Sequence, residues 1–114
     1  MNDVVIDESA LESMESLLGE QFSDTLTFCC AEFERLANEF FSAFGNDLEA
    51  SIRHAHSLKS NASQFGATSL SEVARDIEQS LNNGEHDKAE AASKQLNEQV
   101  SKTQVELTSW LASR

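Results

Sequence analysis

Residues 47–67 read DLEASIRHAHSLKSNASQFGA, and their spacing decides the fold. The apolar residues Leu48, Ile52, Ala55, Leu58, Ala62 and Phe65 recur at intervals of three and four, the period of one helix face. Asp47 precedes them as an N-cap and Gly66 follows them as a stop. At about 100° per residue with Ile52 as origin, Leu48, Ser51, Ala55, Leu58, Ala62 and Phe65 fall between about 220° and 320°. His56 falls near 40°, towards solvent, and His54 near 200°, on the opposite flank. The two imidazoles point about 160° apart, whereas one metal ion on a helix is gripped by residues four apart. No Glu-x-x-His pairs occur to build a carboxylate-bridged metal site between helices. No metal or other cofactor is expected.

The same pattern extends in both directions. Leu11, Met14 and Leu18 mark a short first helix with Asp7 as its cap. Phe22, Leu26, Cys29, Cys30, Phe33, Leu36, Ala37, Phe40 and Phe44 form a long stripe. Leu70, Val73, Ala74, Ile77 and Leu81 mark a segment opened by Ser69. Ala89, Ala92, Leu96, Val100, Thr103, Leu107, Trp110 and Leu111 mark one last helix after Gly84. Proline is absent, the four glycines (19, 45, 66 and 84) punctuate these segments, and nothing alternates with period two. The expected fold is all-α: an up-down antiparallel four-helix bundle with an additional short N-terminal helix. A length of 114 residues suits a single domain over 1–114.

Composition narrows the function. The net charge is −12, with twelve acids against Arg35 alone in residues 1–50 and eight acids against seven bases thereafter. Nucleic acid and anionic lipid repel such a chain. No apolar run approaches the roughly 18 residues a membrane span requires, and the N-terminus lacks a secretion-signal pattern. The adjacent Cys29 and Cys30 do not suit a mutual disulfide and read as reduced core filler. These features point to a cytoplasmic protein, and the bundle is expected to be complete as a monomer.

Around His56 the helix places Lys59, Ser60 and Ser63 within about a turn. Small hydroxylated neighbours leave the ring open, and an ammonium can stabilise an anion carried on it. The same ammonium disfavours a protonated ring, keeping one nitrogen as a nucleophile. That suits receipt of a phosphoryl group, although a lone exposed helical histidine is more often a plain surface residue. No glycine-rich nucleotide loop or Walker pattern exists for the use of ATP. His54 and His86 lack partners at a spacing that would make either a general base.

The run His56-Ser57-Leu58-Lys59-Ser60, then Phe65-Gly66-Ala67, Leu70 and Ile77-Glu78, resembles the signature of the histidine phosphotransfer (HPt) domain. The five expected segments also match that family's layout in order and length. The resemblance implies a phosphocarrier, not a kinase, with His56 as phospho-acceptor through Nε2 and Lys59 as phosphate-contacting base. It implies response-regulator receiver domains as partners, supplying most of the catalysis, and a hybrid sensor histidine kinase upstream. Docking would then use Arg53, Ser60, Ser63 and Gln64. Ser60 departs from the glycine that usually follows the lysine. Glu78 stands where a polar side chain often lies beside the phospho-histidine, and would either orient the ring through Nδ1 or simply be solvated. The competing reading is a non-phosphorylated helical adaptor or dimerisation bundle.

Overall fold

A computed structural model describes residues 3–114; Met1 and Asn2, part of the expected 1–114 domain, lie outside the described residues. Among the described residues six α-helices follow in order: α1 Glu8–Leu18, α2 Phe22–Ala43, α3 Leu48–Gln64, α4 Thr68–Asn82, α5 His86–Ser93 and α6 Leu96–Ala112. A 3-10 turn, Gly19–Gln21, joins α1 to α2. No strand occurs among the described residues.

The long helices α2, α3, α4 and α6 close a ring in which α2 touches α3 and α6, and α4 touches α3 and α6. Each turns its apolar stripe inward. Phe33 and Phe40 from α2, Leu58 from α3, Leu70 and Ile77 from α4 and Leu107 from α6 are fully enclosed. Burial of such side chains contributes roughly 1.5–3 kcal/mol each, against the entropy of ordering them. Asp47 caps α3 as expected, accepting from the Ala50 N–H at 3.0 Å. Asp7 caps α1 by accepting from the N–H groups of Ser9 and Ala10.

The short α1 closes one end of the bundle. Leu11 is buried, the Trp110 indole N–H donates to Glu8, and Arg114 stacks over the Trp110 ring while pairing with Glu15. The segment before α1 runs as a strap. Val5 and Ser69 exchange hydrogen bonds, and Gln99 donates to the Asp3 carbonyl while accepting from the Ser69 hydroxyl.

Two expectations change. The single last helix is two, broken at Lys94–Gln95, where the Ser93 hydroxyl donates back to the Glu90 carbonyl and the Gln95 N–H bonds Ala92 three residues back. Such bonds tighten and bend a helix. Leu48, placed on the core face by periodicity, is 58% exposed, because it opens α3 at the bundle's end.

Candidate functional site

Ala55, Leu58 and Ala62 lock α3 into the core and thereby turn His56 outward. Its side chain is 58% exposed. Across the seam, Ile77 and Leu81 fix α4 in the same way, which aims Glu78 at α3. The Glu78 carboxylate bridges two residues: Oε2 lies 2.7 Å from His56 Nδ1, and Oε1 accepts from Lys59 Nζ at 2.6 Å. The carbonyl of Lys59 in turn accepts from the Ser71 hydroxyl, a second stitch between α3 and α4.

This bridge assigns the protons. Burial opposes ionisation of Glu78 most strongly, but hydrogen bonds from Lys59 and His56, aided by their charges, hold its carboxyl below the ordinary glutamate range. An ionised carboxylate only accepts, so Nδ1 carries a proton and donates it to Glu78; in the neutral ring the lone pair is then on Nε2. Nε2 has no hydrogen-bond partner among the described residues. The arrangement is an oriented imidazole with Nε2 towards solvent.

The other expected residues separate into two groups. Lys59, Ser60, Ser63 and Gln64 line one hollow on the α3–α4 seam, a turn beyond His56. Arg53 stands one turn before His56, exposed and outside that hollow. Sequence reading of the site omitted Ser71, Glu72 and Arg75, which complete the hollow from α4. The spacing of Ser71, Arg75 and Glu78 carries the missing signal, since steps of four and three place them on one stripe of α4.

The remaining histidines go elsewhere. His54 packs towards α2, with Nε2 3.7 Å from Glu39 Oε2, so the paired histidines of the opening stretch end on different neighbours. His86 stacks flat on Phe44, centroids 4.8 Å apart, where the α2–α3 and α4–α5 turns meet.

A model of the Hpt domain matches residues 8–106, which spans both helices of the seam and the His56–Glu78 pair. The chain belongs to the Hpt domain family. Its function is histidine phosphotransfer in a phosphorelay, as a phosphocarrier and not a conventional enzyme. The fold agrees with solved Hpt proteins. Histidine-containing phosphotransfer protein B (HptB) of Pseudomonas aeruginosa PAO1 superimposes with a TM-score of 0.88 at 21% identity, over 96% of each chain. The maize phosphotransfer protein ZmHP2 gives 0.80 at 15% identity, over 96% of this chain and 91% of its own. Among curated proteins no sequence matches the chain. No helix among the described residues is long and apolar enough to cross a membrane.

Proposed function

We propose that this Hpt domain, spanning residues 1–114 as a cytoplasmic monomer, accepts a phosphoryl group on His56 from the aspartyl phosphate of one response-regulator receiver domain and passes it to another. The observation that carries the reading is the 2.7 Å contact between His56 Nδ1 and Glu78, which leaves Nε2 unpartnered on an exposed helix face. The Nε2 lone pair attacks phosphorus in line, an N–P bond forms, and the acyl O–P bond breaks with its electron pair leaving on the aspartate. The ring proton stays on Nδ1. Onward transfer reverses these bonds with a second aspartate as nucleophile.

The receiver domains supply the aspartate, the metal ion and most of the catalysis, and a hybrid sensor histidine kinase feeds the chain upstream. Lys59 contacts the phosphoryl oxygens. Ser60, Ser63, Gln64 and Arg53 form the surface on which the receiver rests, all four small or polar enough to allow close approach. The test incubates the chain with a phosphorylated receiver. An acid-labile, alkali-stable phosphate should appear on the wild type and be absent from His56→Gln. Labelling of that variant, or a wild type that never labels, overturns the reading, and the latter leaves the adaptor bundle.

A further inference from the structure

Among the described residues Arg35, Lys59, Lys88, Lys102 and Arg114 each pair with a carboxylate at 2.8 Å or less. Arg53, Arg75 and Lys94 make no ion pair there, and all three are exposed. Glu49, four residues before Arg53, and Glu72, three before Arg75, stand at spacings that suit a helix ion pair, yet neither takes up its guanidinium.

The register of the seam puts both arginines beside the reacting nitrogen. His56 meets Glu78 while the Lys59 carbonyl meets the Ser71 hydroxyl, so α3 and α4 run antiparallel. Arg75, four residues after Ser71 and three before Glu78, shares their stripe of α4 and lines the hollow on the Lys59 side of His56. Arg53, three residues before His56, lies about 4.5 Å along the axis of α3 on the other side. We propose that Arg53 and Arg75 steer the phosphoryl-bearing face of the receiver onto His56, an inference that rests on the carrier function proposed above.

The charge of the two partners creates the need. The face that comes against Nε2 carries an anionic acyl phosphate and the oxygen ligands of a hard metal ion. The chain meets it with a net charge of −12. Two bodies of like charge associate slowly unless the patches that meet carry opposite sign. Lys59 draws little from a distance, because Glu78 at 2.6 Å offsets its charge. Arg53 and Arg75 keep their donors for carboxylate or phosphate oxygens of the partner. The hollow itself is lined by two cations, Lys59 and Arg75, against one carboxylate, Glu72. Lys94 lies outside the seam, at the break between α5 and α6, and serves as the comparison.

The test follows phosphoryl transfer from a response-regulator receiver domain, phosphorylated with acetyl phosphate, to the wild type, Arg53→Glu, Arg75→Glu, Arg75→Gln and Lys94→Glu. Receiver concentrations stay well below saturation, and ionic strength runs from about 0.01 M to about 1 M. Each glutamate variant changes the net charge equally, so Lys94→Glu controls for total charge. At low ionic strength Arg53→Glu and Arg75→Glu should each slow transfer by about tenfold, Arg75→Gln by about threefold and Lys94→Glu by less than about twofold. Near 1 M, where the screening length is about 3 Å, the arginine variants should come within about twofold of the wild type. Urea denaturation checks that each variant is folded, and Arg75→Gln carries the test if the reversed charge destabilises α4. Equal slowing in Lys94→Glu, arginine variants as fast as the wild type at low salt, or losses that persist at high salt overturn the inference. A wild type that takes no phosphoryl group overturns instead the carrier reading.

Discussion

The backbone N–H of Asp7 donates to the carbonyl of Gly66 across 2.7 Å, and a Cβ on Gly66 would stand 2.5 Å from the Asp7 carbonyl oxygen. Gly66 also holds φ at +72°, where a side chain is strained. Replacement by alanine therefore meets two penalties, one conformational and one steric. Gly66→Ala should lose about 2 kcal/mol or more in urea denaturation, since the left-handed conformation alone costs roughly 1–2 kcal/mol. The Asp7 amide should lose protection from hydrogen exchange at the same time. An unchanged midpoint contradicts this account.

The core and the exposed apolar residues should respond very differently to truncation. Phe33 is fully enclosed in α2, and Phe33→Ala should cost about 3–5 kcal/mol. Phe28, on the same helix, is 65% exposed, and Phe28→Ala should stay within about 0.5 kcal/mol. Paired denaturation curves separate the two.

Ser60 tests the docking surface without touching the reacting nitrogen. It is exposed on α3, at the rim of the hollow beside Lys59. Ser60→Phe should leave labelling by phosphoramidate intact while slowing transfer from a receiver by at least about tenfold, equivalent to roughly 1.4 kcal/mol of lost docking. Ser60→Gly should keep transfer and cost only about 0.5 kcal/mol of helix stability. Equal slowing of both labelling reactions in Ser60→Phe would show damage to the site itself.

The cysteines should resist modification in a fixed order. Burial, followed by the neighbouring Cys30 and Glu32, pushes the Cys29 thiol up to about 12. Burial alone raises Cys30, which is less enclosed. Because the thiolate is the nucleophile, both should react with iodoacetamide at pH 8 more slowly than free cysteine, and Cys29 more slowly than Cys30. Peptide mass spectrometry over a time course reads both rates.

Acid should weaken the α3–α4 seam. The folded state depresses the Glu78 carboxyl below its ordinary value of 4.5. The unfolded chain therefore takes up that proton first as pH falls, so the contribution is present above 4.5 and lost as pH drops through the lower folded value. Unfolding free energy measured from pH 6 to pH 3 should fall less steeply in Glu78→Gln than in the wild type.

Local pattern made most of this architecture legible, and pairings between segments were hidden. Asp7 and Asp47 announce their helices because a cap is a contact within three residues. The outward direction of His56 follows from the period of α3 alone. The break at Lys94–Gln95 escapes the same reading, because Ala92, Leu96 and Val100 continue the apolar period straight through it. Glu78 illustrates the other limit. Its place in the resemblance was readable, but its grip on both His56 and Lys59 depends on the register of α4 against α3, which no spacing within one helix encodes. The Ser69–Gln99 and Gln99–Asp3 bonds are equally invisible, joining residues 30 and 96 positions apart.

Those last bonds also set an order of assembly during synthesis. The strap at Asp3–Asp7 leaves the ribosome well before its partners: Gly66 and Ser69 follow some sixty residues later, and Gln99 some thirty after those. The strap is thus made before the surface it closes over, and must wait for that surface to reach its place.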